Sequence, residues 1–479
     1  MLFSTSIVSR HATSKGAGKK EICAICPLSF GVSVLGRMLS MNFEPSQEQI
    51  TPIGITNWRN QSQRFGIKDK DRLGHIYVIG KTGVGKSTLL QSMAISDIER
   101  GNGLGIIDPH GDIAEDILNF IPQHRIEDVI YFNPADTEYP IAFNLLANVA
   151  AEYHHLAASG LISTFKKIWA ESWGPRLEHI LRFSLLTLLE YGEATLLDIQ
   201  PLLTNPLFRE KVLNRITGTH LIAFWRNEFE KYAPALRNEA IAPILNKMGL
   251  FIASIPLRNT VGQRVQSFEM RAVLDEGKIF IANLSKGKLG EDASSLLGSM
   301  LVTSMQLAAL SRSDQEPDKR RPFYLYIDEV QSFISLAFAD ILAEARKYGL
   351  SLFMAHQYIE QLHEKVRSAI FGNVGTMIVF RVGAEDAKYL APEFSPVFNE
   401  EDLVSLPKYS MYLKLMIDGA TSRAYSADSL SLSQVRQSFK PGIIDKSRKA
   451  FAKREEDIKR NFQYGEMNPD AARNNATLF

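Results

Sequence analysis

Cysteine is nearly absent: the 479 residues include two, Cys23 and Cys26, spaced C-x-x-C. One pair cannot build a disulfide framework, and so cysteine-poor a chain suits a reducing compartment. A zinc site would need a second ligand pair, and a redox pair would need a strand–helix setting. Neither stands near, so the spacing reads as chance. A charge excess of one sign is missing too, with 54 Lys plus Arg against 53 Asp plus Glu. That balance excludes a protein that coats nucleic acid through bulk charge and leaves room for a local basic channel. Long apolar runs are scarce. The mildly apolar stretch from Ile22 to Leu39 is broken by Pro27, Gly31, Gly36 and Arg37, and its uncharged part falls short of the ~20 residues of a membrane helix. Residues 1–45 are therefore expected to be a disordered extension rather than an anchor. No other segment is expected to cross a bilayer, which places the chain in the cytoplasm, at most peripheral at the inner face of the cell membrane.

What is present is ordinary globular composition, 45% hydrophobic and 22% charged, over a length that divides into two or three domains. Short apolar runs alternate with helical patterns. Leu73–Ile79, Leu104–Ile107 and Ile126–Phe132 read as strands, and Lys86–Arg100 as a helix closed by Gly101. From about Val149 to Val265 strand signals vanish, and amphipathic stretches such as Leu177–Tyr191 and Leu221–Tyr232 read as helices. Alternation resumes with strands at Lys278–Asn283, Pro322–Glu329, Leu350–Met354 and Thr376–Arg381. Helices are expected at Asp292–Ser311, Ala339–Tyr348 and Ile359–Ile370. Asp418-Gly419 between two alternating runs signals a hairpin. The expected fold is α/β, a parallel-rich sheet with helices on both faces, in two parts (46–148 and 266–430) around an all-helical insertion (149–265). A charged tail (431–479), rich in Lys446, Arg448, Lys449, Lys453 and Arg454, reads as a solvated helix with a frayed end.

Gly80 to Ser87 (GKTGVGKS) fits G-x-x-x-x-G-K-[ST] between a strand and a helix, the P-loop pattern of RecA-like NTPases. Its glycines let backbone N–H groups wrap a β-phosphate where the helix dipole favours negative charge. Gly80, Lys81, Thr82, Gly83, Val84, Gly85, Lys86, Ser87 and Thr88 are the expected ATP contacts, with Lys86 on the β- and γ-phosphates and Ser87 on Mg²⁺. Asp328 and Glu329 end an apolar strand, where a Walker B pair belongs: Asp328 for the metal, Glu329 to polarise the attacking water. Gln357 follows the next strand and is placed to orient water or report phosphate loss, whereas His356 reads as a packing residue. Asp108, His110 and Asp112 follow a strand at that same edge. Asp108 is expected beside the nucleotide, with a plain turn through Pro109 and Gly111 as the alternative reading. Arg381, at the end of its strand, is the nominee for the arginine that stabilises a neighbouring subunit's γ-phosphate. Arg346 and Lys347 follow Walker B.

With these residues placed, the chain resembles the HerA/FtsK superfamily of ring translocases, and within it the type IV secretion coupling proteins of the TraD/TraG kind. The likeness rests on Gly80–Thr88, Ile107–Asp112, Leu325–Gln331 and Ala343–Gly349 running into Ala355–Gln357, and spans roughly residues 50 to 430. It implies a homohexameric ring with ATP between subunits, DNA in the channel, and a relaxase and secretion-channel proteins as partners. The loop at Lys286–Lys288 is a candidate pore contact. Two alternatives stay open, a HerA-like motor working with a nuclease and an ATP-gated scaffold with slow hydrolysis. The helical insertion favours a coupling protein over the first. Glu329 counts against the second.

Overall fold

The computed structural model describes residues 49–458 except 58–61, 337, 433 and 436; the C-x-x-C pair, the extension 1–45 and the end of the tail lie outside the described residues. Its strands are β1 (Ile50–Thr56), β2 (Arg64–Lys68), β3 (Ile76–Ile79), β4 (Gly103–Asp108), β5 (Val129–Phe132), β6 (Ile279–Asn283), β7 (Phe323–Ile327), β8 (Leu350–His356), β9 (Thr376–Val379), β10 (Ser410–Lys414), β11 (Met416–Ile417), β12 (Ala420–Thr421) and β13 (Tyr425–Ser429). Eleven of them form one sheet in the order β2-β1-β13-β10-β9-β3-β8-β7-β4-β6-β5. From β9 to β5 every pairing is parallel. Those strands are mostly apolar, and every residue of β3, β4, β6, β7 and β8 is buried, as strands covered on both faces require. The remaining four pair antiparallel. In β10 burial alternates, with Met411 and Leu413 inward, the pattern of a strand covered on one face.

One face of the sheet packs the helix Lys86–Glu99 through Leu89, Leu90 and Met93 against Ile76, Val78, Ile106 and Tyr326. The other packs Tyr77, Ile107, Leu325 and Leu352 against the helix Glu291–Ser311 and the helical segments beyond it. Between Ala151 and Val261 every described element is helical, and its apolar residues share one core with the sheet. Gly160 sits so close to Glu291–Ser311 that an added Cβ would stand 2.5 Å from Thr303 Cγ2. Contrary to the sequence reading, the helical stretch Glu291–Asp314 is long and apolar enough for a membrane span, but 83% of the relevant window is buried inside the fold. It is a core helix whose Ser294 and Ser299 hydroxyls donate to the Leu284 and Phe333 carbonyls.

Two further expectations are corrected. Leu221–Tyr232 is not one helix: Thr219–Ala223 passes into a π-helical turn, Phe224–Glu228, and a 3₁₀ turn, Phe229–Lys231. The wider turn lets the adjacent Phe224 and Trp225 both face inward, where Phe224 stacks on Phe183 and Trp225 Nε1 donates to Thr187. The tail helix, Lys440–Phe451, is docked rather than solvated. Ile443 is fully buried, and Ser447 Oγ accepts the Tyr131 N–H of edge strand β5. Lys446 and Arg448 pair with Glu127 and Asp136 of the same fold. An edge strand has unpaired backbone groups to cover, which is what the helix does.

A buried polar cluster ties the sheet together below the site. Arg72 donates to both Asp97 oxygens (2.7 and 2.8 Å), to Thr51 and to Tyr326, and lies over the Tyr324 ring. It links β1, the helix Lys86–Glu99 and β7.

Candidate active site

Because β9, β3, β8, β7, β4 and β6 run parallel, the loops after them gather along one edge, where ligands of open α/β sheets bind. The loop after β3 is anchored on both sides. Gly80 N–H donates to His356 O, Lys81 N–H to Arg381 O, and Val84 O accepts Tyr409 N–H at 2.8 Å. Gly85 needs its glycine, since it has φ 125° and a Cβ would press on Tyr409 and Phe380. The helix Lys86–Glu99 starts there with no side-chain cap and no acid in its first turn. Its first N–H groups are thus available to an anion. Lys86 is buried, donates to the Gly80 and Lys81 carbonyls (2.6 and 2.9 Å), and is pushed down by burial against the pull of Asp328 and Glu329. Ser87 is exposed at the start of that helix. Buried ammonium, free amides and hydroxyl together fit a polyphosphate.

β8 lies between β3 and β7, so Gln357, one residue past β8, stands between the P-loop and Walker B. Its amide donates to Glu329 Oε1 at 2.6 Å, and its carbonyl accepts the Thr82 hydroxyl at 3.1 Å. Glu329 sits in the left-handed region (φ 49°), strain of the kind that collects at functional sites. Its Oε1 also meets His110 Nε2 at 2.9 Å, and its Oε2 meets Lys286 Nζ at 3.3 Å. Burial pushes this carboxyl up, but His110 and Lys286 outweigh it and hold the group below its ordinary range. Asp328 is buried and pushed up to about 6, by burial first and then Asp108, with Lys86 opposing. So costly a buried carboxylate fits a cation. An Asp carboxylate and a Ser hydroxyl are the oxygen donors that Mg²⁺ takes alongside phosphate. Among the described residues no group of three His, Cys, Asp or Glu is arranged to hold a metal ion.

The structure brings Gly80–Thr88, Asp328, Glu329 and Gln357 to one place and redistributes the rest. Both Asp108 oxygens are taken by backbone, from His110 and Ala114 N–H. It shapes the turn, and its charge pushes the Asp328 carboxyl up. His356 packs, as expected: it is fully buried and bonded to the Tyr77 hydroxyl. Arg381 is exposed, but its carbonyl is tied to Lys81 of its own P-loop. Arg346 and Lys347 are exposed before β8, at the opposite edge. Sequence reasoning missed Lys286 as a partner of Glu329, having placed it in a pore. Its position three residues after a strand at this edge was the available signal.

A parallel sheet with a P-loop after one strand, an acid pair after another and a polar sensor between them defines a P-loop NTPase of the RecA-like class. A model of the type IV secretion-system coupling protein DNA-binding domain matches residues 66–406, and the chain belongs to that family. Solved structures agree on the fold. The plasmid coupling protein TrwB, in complex with a non-hydrolysable GTP analogue, is 17% identical over 78% of this chain and 89% of its own, with a TM-score of 0.53. TrwB has also been solved with ADP and Mg²⁺, again at 17% identity and a TM-score of 0.53 over 78% of this chain and 89% of its own. VirB4 of Thermoanaerobacter pseudethanolicus is 14% identical over 80% of this chain and 96% of its own, with a TM-score of 0.52. No curated protein sequence matches. Family and fold support a motor of DNA transfer.

Proposed function

We propose that the chain is an ATP-driven DNA translocase of the coupling class, which binds DNA and uses ATP hydrolysis to power its transfer in conjugation or type IV secretion. The observation that carries ATP turnover is the Gln357 bridge between Thr82 of the P-loop and Glu329. A base and a sensor are joined where the terminal phosphate of an ATP cradled by Gly80–Thr88 would lie.

In this reading the amides of Gly83–Thr88 and the Lys86 ammonium hold the phosphates, and Ser87 and Asp328 hold Mg²⁺. The ion supplies charge neutralisation on the phosphate oxygens. Glu329 accepts hydrogen bonds now; with nucleotide bound it orients water and takes its proton, and Gln357 registers whether the terminal phosphate is present. Arg381, exposed at the end of its strand, is the arginine taken to reach a neighbour's site. We take 46–148 and 266–430 as the nucleotide-binding domain and 149–265 as its helical insertion, assembled as a ring around DNA. Lys167 of the insertion donates to Gln331 O, two residues past Glu329, which offers a path from hydrolysis to the insertion. A relaxase and channel proteins are the partners this role calls for.

Steady-state ATPase of the purified chain, with and without single- and double-stranded DNA, tests the reading. Stimulation by DNA that disappears in Lys86→Ala and Glu329→Gln supports it. Hydrolysis indifferent to both DNA forms would sink the translocase.

A further inference from the structure

The residue before β10 has features that the phosphate chemistry leaves unused. Tyr409 is held at φ 70°, a conformation that bulky side chains adopt only where the surroundings impose it. Here the P-loop and β13 impose it. Tyr409 N–H donates to Val84 O at 2.8 Å, and Tyr409 O accepts Ser429 N–H at 2.9 Å. The ring abuts the P-loop, with Cδ1 3.0 Å from where a Cβ on Gly85 would stand. The residue is nonetheless 43% exposed. The Lys408 ammonium lies over one face of the ring, 4.8 Å from the centroid, on a flexible stem that can swing aside for a group arriving from solvent.

The strand order gives the site a polarity. In β10-β9-β3-β8-β7 the P-loop follows the middle strand. Gln357, Asp328 and Glu329 lie on the β8–β7 side, and Tyr409 on the β9–β10 side. A nucleoside triphosphate whose terminal phosphate faces Gln357 and Glu329 must send its nucleoside the other way, toward Tyr409. We infer that Tyr409 is the base-side wall of the site and stacks on a purine, with Lys408 adding a cation that favours an anionic nucleotide over a free nucleoside. Backbone bonds on both sides hold the ring ready before binding, which reduces the ordering cost. An aromatic face accepts any base but gains most from the larger purine surface. The inference rests on the ATP site proposed above.

Calorimetric titration of the full chain with Mg²⁺ and ATP, CTP or inorganic tripolyphosphate tests it, in Tyr409→Asn, Tyr409→Phe and Lys86→Ala. Asn is chosen because it tolerates the left-handed region. Tyr409→Asn should bind ATP roughly tenfold more weakly and tripolyphosphate as the unaltered chain does. Tyr409→Phe should restore ATP affinity, and the unaltered chain should prefer ATP to CTP. The inference is overturned if Tyr409→Asn binds ATP normally, if it loses ATP and tripolyphosphate in step, or if Phe fails to restore. Lys86→Ala reports separately: if it weakens neither ligand, the ATP site itself is wrong.

Discussion

The Gln357 amide donates to Glu329 Oε1 at 2.6 Å, across 28 residues of sequence and from one strand end to the next. Since the same side chain accepts from Thr82, a change at the terminal phosphate cannot reach one partner without disturbing the other. The pair therefore divides binding from turnover. Glu329→Gln keeps the shape and removes the base, so nucleotide affinity should hold while hydrolysis falls by roughly 10²–10⁴. Gln357→Ala should slow hydrolysis less and blunt any response to DNA. Single-turnover assays beside nucleotide titration check both; a Glu329→Gln rate near the starting one would remove Glu329 from the chemistry.

Lys286 separates two readings of its own loop. Its ammonium contacts Glu329 Oε2 at 3.3 Å and Ser332 Oγ at 3.0 Å. As a positioning residue for the base it should matter without DNA, so Lys286→Ala should lower the basal ATPase rate and leave ATP affinity in place. A pore residue would instead lower only the DNA-stimulated rate. Lys288, exposed two residues on, is the control substitution.

Stability at the back of the site depends on Asp97. It is fully buried and receives Arg72 on both oxygens, together with Tyr326, Arg100 and Asn102. Removing it leaves the buried Arg72 guanidinium with only the looser 3.7 Å contact to Asp69, and breaking a buried pair in this way costs about 3–5 kcal/mol. Asp97→Ala should lower the denaturation midpoint accordingly, and the pair Arg72→Met/Asp97→Leu should recover most of the loss. Failure of the double variant to recover would mean the cluster positions the P-loop helix rather than merely neutralising charge.

Much of this site could be read from the sequence because its residues stand where apolar runs end. Short uninterrupted apolar runs such as IYVI and FYLYI fit strands covered on both faces, and Gly80 or Asp328 follows the end of each. The antiparallel part was legible only at its tip. Asp418 and Gly419 do form a turn, both at positive φ, but they close the short β11–β12 pair. The longer ladder of β10 with β13 starts further back. Its half-buried strands mix polar and apolar residues and are individually weak signals. That rule puts Lys286 at this edge without pairing it with Glu329, and it does not find Tyr409. What matters about each is a partner 43 residues away for Lys286, or across the sheet for Tyr409, and local pattern holds no record of either. The tail helix failed for a related reason: its basic residues look solvated until the acids of the edge they cover are known.

Acid should destabilise the fold through His75 before the carboxylates titrate. His75 is buried and neutral, with Nε2 donating to Leu342 O and Nδ1 accepting from Leu352 N–H, both at 3.2 Å. Burial, with Arg346 adding to it, pushes this imidazole down to about 4. In the unfolded chain it titrates near 6.5. The unfolded state therefore takes up the proton first. Stability from the neutral ring is complete above about pH 6.5 and falls by about 1.4 kcal/mol per pH unit toward pH 4, where the loss levels off. His356, pushed down to about 3 by burial and by Lys86, adds loss of the same sign. The thermal midpoint should thus drop between pH 7.5 and 5, a window above most carboxylate titration. His75→Gln should start lower but show a shallower slope across it. Equal slopes would mean that the imidazole takes up its proton alike in the folded and unfolded chain, and that acid acts on the fold elsewhere.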